Sequence, residues 1–498
     1  MSAIAATGGG PLLVLAVLLP VAGILASFAL GGRAAEKITL ALTPLGFGLA
    51  WLIAMQLAAS GAPIVYVIGG LPPPLGIALR ADGISATMLL AAAVIVAAAA
   101  FYARAKFATP EGGESRSALT FWIMLQAIWA ALNLIFVGGD LFNLYVALEL
   151  LTFAAVPLVC IDGRPETLAA ALRYLLFALF GSIFYLLGVA LLYGGFGTLD
   201  IVLLGQRVQS TPLVWTAAAL MTAGLLAKTA LFPLHLWLPP AHANAPAAAS
   251  AVLSGLVVKG SFFLLLRLWF YVLPALPTAA PSAVLGALGS AAVLVGSVLA
   301  LRQARLKLLV AYSTVAQIGY LFLVFPLAAG GHLWSALGWS AGLMQVLAHA
   351  FAKAAMFFAA GLLAESFGHD QMAKLKGAAR ALPLTFLTLG LGGLSLMGLP
   401  PSGGFSAKWL MLRASLASGQ WFWTLPILAG GLLAAGYVYR ILAPALADGA
   451  VELKSTPDRR REGVALALAL VALALAFAPQ SFFAFLEIGR PLAAGVAP

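Results

Sequence analysis

Apolar runs of about 20 residues recur along the whole chain, each closed by a short polar or Gly/Pro-rich stretch. A helix rises 1.5 Å per residue, so a run of this length crosses a hydrocarbon core roughly 30 Å thick. The runs predict fourteen spans, at 11–31, 38–59, 84–104, 118–137, 140–160, 167–194, 213–234, 247–273, 282–301, 307–327, 333–363, 382–400, 421–443 and 463–486. A short helix over 402–417 follows the twelfth span. The connection 60–83 contains GGLPPPLGIALRADG, whose turn residues between alternating positions predict a β-hairpin on the outer surface. The pattern specifies an all-α polytopic membrane protein without a separate soluble domain.

Two spans are interrupted by proline, the seventh in LLAKTALFPLHLWLPPAHANAP (Leu225 to Pro246) and the twelfth in GLPPSGGFSAKW (Gly398 to Trp409). Proline removes a backbone hydrogen bond and clashes with the preceding turn. Non-helical backbone at membrane depth survives only where protein buries it or it lines a wet cavity. The breaks lie five spans apart, an odd offset that inverts topology. They therefore predict two inverted five-helix repeats, residues 118–273 (helices 4–8) and 282–443 (helices 9–13). Residues 1–117 add helices 1–3 with the hairpin, and residues 444–498 a cytoplasmic loop and helix 14.

Composition agrees with a lipid solvent. The chain is 63% hydrophobic and 9% charged, against about 25% charged in soluble domains, and its mean hydropathy is +1.05. The net charge of +11 does not imply nucleic acid, because the basic residues crowd into short loops between spans. Odd-numbered loops hold most of them, among them Arg33, Lys106, Arg164, Arg305, Lys374 and Arg459 to Arg461. The odd loops are then cytoplasmic and both termini lie on the outer face of a bacterial-type inner membrane. No basic residue precedes the first apolar run, so that run is expected to be a span and not a cleaved signal. Cys160 is the single cysteine, and neither HExxH nor GxGxxG occurs. No disulfide within the chain, metal centre, redox cofactor or nucleotide site is therefore expected.

Against this background six residues stand inside apolar spans: Glu149, Lys228, Lys259, His349, Lys353 and Lys408. A charge at the bilayer centre costs about 2.5–3.5 kcal/mol on insertion scales, so such residues mark ion pathways or proton relays. Lysine suits a relay because burial lowers its proton affinity and a nearby carboxylate restores it. Glu149 is the carboxylate lying well inside a span, and Lys228 is its candidate partner; the alternative is a static ion pair. Lys259 lies mid-span, too deep to snorkel easily. Gln345, His349 and Lys353 follow at i, i+4 and i+8 on one helix face, and Ser313, Gln317 and Tyr320 form a weaker stripe on the preceding span. His235 and His242 flank the first break, where capping and relay roles both fit. With four lysines to one carboxylate, the set favours a proton over Na⁺, which prefers oxygen ligands.

Together these positions resemble a family: the antiporter-like proton-translocating subunits of respiratory complex I (NADH-quinone oxidoreductase), the membrane-bound hydrogenases and the multisubunit sodium/proton (Mrp-type) antiporters. The resemblance rests on Glu149, the segment from Lys228 to Pro246, Lys259, AYSTVAQIGY (Ala311 to Tyr320), HAFAKA (His349 to Ala354), and GLPPSGGFSAKW with Lys408. It implies an input half-channel around Glu149, Lys228 and Lys259, and an output half-channel around His349, Lys353 and Lys408. It also implies partner membrane subunits that carry any flavin, iron–sulfur or quinone site. PLHLWLPPAHANAP looks like the complex I and hydrogenase branch, whereas the hairpin and overall length look like the D-type antiporter subunit. A stand-alone cation antiporter and a non-conducting scaffold are the competing readings.

Overall fold

A computed structural model describes residues 6–109, 113–330, 332–449 and 452–491. The N-terminal part contains α1 (Gly10–Leu30), α2 (Gly32–Ser60) and α3 (Gly83–Ala103). Between α2 and α3, β1 (Ile64–Val67) pairs antiparallel with β2 (Ala78–Ala81), with Val65 opposite Arg80. The hairpin expected at 60–83 is therefore present. Asp82 caps α3 by accepting from the Ser85 amide, which ends the strand and starts the span.

The first half continues with α4 (Arg116–Val137), α5 (Leu141–Val159), α6 (Pro165–Phe196), the short α7 (Ile201–Arg207), α8 (Pro212–Thr229), α9 (Leu238–Asn244) and α10 (Ala247–Val272). The second half holds α11 (Ala279–Leu301), α12 (Leu306–Ala328), α13 (Leu333–Phe367), α14 (Pro383–Met397), α15 (Gly403–Ala417) and α16 (Trp421–Leu446). Helices α17 (Arg459–Phe477) and α18 (Gln480–Glu487) close the described chain. The 402–417 helix expected after the second break corresponds to α15.

Burial ranks the helices. The most apolar windows of α10 and α13 are entirely enclosed by protein, whereas those of α1 and α2 are 28% buried. Helices α10 and α13 are thus the axis, and α1 and α2 lie on the periphery. On α6, Leu168, Leu172, Leu176, Phe180, Ile183 and Leu187 recur every three or four residues and remain exposed, the face of a helix whose solvent is apolar. Glycines set the closest approaches. A Cβ on Gly181 would meet the Gly224 carbonyl at 2.6 Å, and one on Gly224 would run into the Gly181 carbonyl, so α6 and α8 touch backbone to backbone.

The expected count of fourteen spans is not confirmed. Among the described residues eleven helices are long and apolar enough to cross a membrane, or twelve if the bent pair α17–α18 is one span. The proline breaks account for part of the difference: they cut α8 to 18 residues and α14 to 15. The expected last span, 463–486, is bent by 92° between α17 and α18. The expected loop 444–462 is also shorter, because α17 already begins at Arg459. Arg461 is buried in that helix, paired with Glu365 at 2.5 Å and stacked 4.3 Å over Tyr102.

Candidate functional site

Both breaks end in a left-handed residue beside a lysine. Helix α8 stops at Ala230 (φ 57°), two residues after Lys228. Helix α14 stops at Gly398 (φ 79°), and a Cβ there would meet the Lys408 Cδ at 2.5 Å. A helix end at membrane depth leaves carbonyls without partners, and the second lysine answers that need. Lys408 Nζ donates to the Leu396 carbonyl at 2.7 Å and the Met397 carbonyl at 3.1 Å, and lies 4.4 Å over the Tyr320 ring. A cation at a helix C-terminus is favoured by the macrodipole.

The first cluster is an ion pair. Lys228 Nζ donates to Glu149 Oε1 at 3.0 Å and to Thr152 Oγ1 at 3.1 Å. Ser182 donates to the same carboxylate oxygen. Glu149 and Thr152 share one face of α5 at i, i+3. The lysine side chain is 5% exposed and the carboxylate 14%, so the pair is shielded but has an edge. A void of about 10 Å³ adjoins Lys228, bounded by Thr152, Tyr174, Val257 and Ser261, room for about one water. Thr229 Oγ1 donates to Ser261 Oγ at 2.9 Å, linking the break to α10.

Helix α10 presents Lys259 at its fully buried centre. A π-helical turn, Leu253–Val257, ends two residues before it. π-Turns are a recurrent feature of functional sites in helices. Lys259 Nζ donates to the Ser254 carbonyl within that turn, and the Ser254 hydroxyl pairs with Thr314 on α12 at 3.0 Å. His242 on α9 is 1% exposed, stacks 4.9 Å from Phe357, and has no partner at either ring nitrogen. His349 on α13 is also 1% exposed, with neither ring nitrogen partnered. Buried polar atoms are nearly always satisfied, so these rings stand where ordered water is needed.

The second cluster joins two helix faces. Lys353 Nζ donates to the Val310 carbonyl at 2.9 Å and to Ser313 Oγ. One turn on from Ser313 and two turns back from Lys353, Gln345 Nε2 donates to Gln317 Oε1 at 2.9 Å. Gln317 Nε2 in turn donates to the Leu396 carbonyl at 3.1 Å, the same oxygen that receives Lys408. The stripes expected on the tenth and eleventh spans therefore face each other pair by pair, Ser313 with Lys353 and Gln317 with Gln345, while Tyr320 turns to Lys408. His235 lies apart, 5.5 Å from Phe232, with Nδ1 unpartnered.

Sequence reasoning missed several participants. Thr152 and Ser182 hold Glu149 and Lys228 but look like ordinary packing residues. Arg267, on α10, stands inside an apolar run by the same criterion that marked the lysines. It pairs with Asp82 at 2.5 and 2.9 Å, and Tyr271 donates to the same carboxylate at 3.0 Å. Among the described residues no group of three His, Cys, Asp or Glu side chains could hold a metal ion.

The chain is similar to known proteins in sequence and in fold. The family described as NADH:quinone oxidoreductase/Mrp antiporter, TM matches residues 138–433. The chain is 35% identical over 393 residues to NADH-quinone oxidoreductase subunit N of Desulforudis audaxviator, covering 78% of this chain and 76% of that one. It is 27% identical over 372 residues to the D-type subunit of the Na(+)/H(+) antiporter of Alkalihalophilus pseudofirmus, covering 74% and 73%. A chain of the membrane-bound sulfane sulfur reductase, an archaeal respiratory membrane complex, superposes with a TM-score of 0.86 at 26% identity over 95% of this chain and 96% of that one. A chain of the Mrp complex from Dietzia sp. DQ12-45-1b shares the fold, with a TM-score of 0.86 at 24% identity over 98% of each.

Proposed function

The chain belongs to the NADH:quinone oxidoreductase/Mrp antiporter transmembrane family, and on that footing we propose that it is the proton-translocating membrane subunit of a multisubunit complex. One observation carries the reading: buried proton-binding groups extend from the Glu149–Lys228 pair, through Lys259, His242 and His349, to Lys353 and Lys408. Polar links accompany them in the two arms, at Thr229–Ser261 and from Gln345 through Gln317 to the Leu396 carbonyl.

In this reading Glu149, Lys228 and Lys259 serve proton uptake, and His349, Lys353 and Lys408 serve release. When Glu149 and Lys228 separate, the lysine loses the charge that keeps it protonated and passes its proton inward. Thr152 and Ser182 position the pair. His235, His242, Gln345 and Gln317 carry or orient water between the ionisable groups. The two broken-helix segments, 118–273 and 282–443, act as inverted repeats, consistent with the matching left-handed terminations at Ala230 and Gly398.

The loop-charge bias favours a bacterial-type inner membrane with both termini outside. Flavin, iron–sulfur or quinone sites, where a complex has them, reside in partner subunits, since this chain has a single cysteine and no nucleotide motif. The identity to the quinone oxidoreductase relative, higher than to the antiporter relative, favours a redox-driven complex over an Mrp antiporter.

The test is replacement of Lys228 or Glu149 by alanine in the intact complex, reconstituted in vesicles. Translocation should be abolished while all subunits still assemble. Wild-type pumping in either variant overturns the relay. If the chain is only a scaffold, alanine at Lys228, Lys259, Lys353 and Lys408 together leaves transport intact.

A further inference from the structure

A second site lies away from the relay, at the end of the bundle that carries the hairpin. A cavity of about 370 Å³ opens there, lined by Arg80, Asp200, Gln206, Arg267, Tyr271 and Arg490 among others. Its walls come from the α2–α3, α4–α5 and α6–α8 connections, the end of α10 and the residues after α18. All of these adjoin ends of membrane helices, so the cavity sits at the depth of lipid headgroups. The volume falls in the range of about 300–1,000 Å³ typical of small-molecule pockets.

The charges in this cavity are unevenly compensated. Arg267 is neutralised by Asp82. Arg490 is held by Glu487 at 2.9 Å and Ser335 at 3.0 Å, with its guanidinium 5.3 Å from Trp339. Arg80 differs: its Nε is buried without a hydrogen-bond partner, and Asp82 and Asp200 attract its charge only through space, with no ion pair to any described residue. Asp200 is 5% exposed and uses Oδ1 to cap α7, accepting from the Val202 and Leu203 amides. No ion pair links it to Arg80. One cavity therefore presents a guanidinium with no carboxylate in contact with it and a carboxylate with an unused oxygen. A guanidinium in such surroundings calls for an anionic acceptor, and phosphate matches its planar fork.

We propose that this cavity binds a zwitterionic phospholipid headgroup, with the phosphate on Arg80 and a primary ammonium on Asp200. The ligand is chemically a phosphoethanolamine. Its two charged ends bridge side chains that the protein leaves apart, and its acyl chains reach the apolar surface below.

Native mass spectrometry of the purified full chain in detergent tests this, with phosphatidylethanolamine and phosphatidylglycerol added separately. Wild type should retain phosphatidylethanolamine in preference to phosphatidylglycerol. Arg80→Gln should weaken retention of both about tenfold or more, the effect of losing a charged hydrogen bond. Asp200→Asn should erase the preference while phosphatidylglycerol still binds. Val202→Trp, which fills the cavity from α7 and keeps Arg80, should lower retention too, and serves if Arg80→Gln does not fold. Unchanged lipid retention in a folded Arg80→Gln or Val202→Trp variant overturns the site. Equally strong displacement of the lipid by millimolar inorganic phosphate overturns the lipid assignment in favour of a free anion site.

Discussion

His242 separates a relay from a cap. A histidine beside a proline break can satisfy freed backbone groups, and the sequence left both roles open. In the structure its ring is buried between helices with no hydrogen bond at Nδ1 or Nε2, so it caps nothing. His242→Phe therefore removes no hydrogen bond to another residue and roughly keeps the ring volume. Such swaps usually cost less than about 1.5 kcal/mol. Thermal unfolding of the variant should stay near wild type, while proton flux in vesicles should fall about a hundredfold or more, the contribution of a positioned proton-transfer group. Unchanged flux would make the ring a packing residue. At this scale the sequence exposed what is expensive in lipid: each buried lysine stood out inside its span. It concealed what is cheap. Thr152, Ser182 and Thr314 are ordinary residues in membrane helices, and only folding brings them onto Glu149, Lys228 and Ser254.

At the scale of elements, the breaks were legible because proline cannot continue a helix. Their fine structure was not. Nothing in the sequence marks Ala230 as left-handed or Leu253–Val257 as a π-turn, since both depend on how α8 and α10 are held by their neighbours. The second break gives a sharp test. Gly398 has φ 79°, and a methyl group there would sit 2.5 Å from the Lys408 side chain. Gly398→Ala must accept a left-handed conformation that costs roughly 1–2 kcal/mol in a residue with a Cβ. It must also push the Lys408 stem away from the two carbonyls that hold its ammonium. The expected outcome is a loss of about 1–2 kcal/mol in unfolding experiments together with a fall in proton release. The corresponding change at Gly419, also left-handed (φ 73°) but with open space around its Cβ, should show the stability loss without the transport defect. Equal transport in the two variants would count against the geometry at Lys408.

Across the whole molecule, the fold class was readable from hydropathy alone, whereas its closure was not, because it depends on residues far apart in the chain. Asp82, before α3, meets Arg267, 185 positions later. The next residue, Gly83, donates its amide to the Ile488 carbonyl at 3.0 Å. Hairpin, central helix and C-terminal segment thus converge on Asp82 and Gly83, the first two through the buried carboxylate and the last through the backbone. Burial alone would raise its proton affinity; the facing Arg267 guanidinium, its hydrogen bonds and those of Ser85 outweigh this and hold the Asp82 carboxyl below its ordinary value. Because the folded value is the lower one, the unfolded chain takes up the proton first. The pair's contribution is therefore complete above the unfolded value near 3.9 and is lost as pH falls through the folded one. Other carboxylates also titrate in acid, so the informative quantity is the difference between wild type and Asp82→Asn. At neutral pH the variant leaves Arg267 buried without its counter-charge and should be less stable by about 3–5 kcal/mol. Thermal unfolding followed from pH 7 to pH 3 should show that gap constant down to about pH 5 and narrowing below about pH 4. A gap that stays constant to pH 3 would mean that the carboxylate's charge does not hold these segments together.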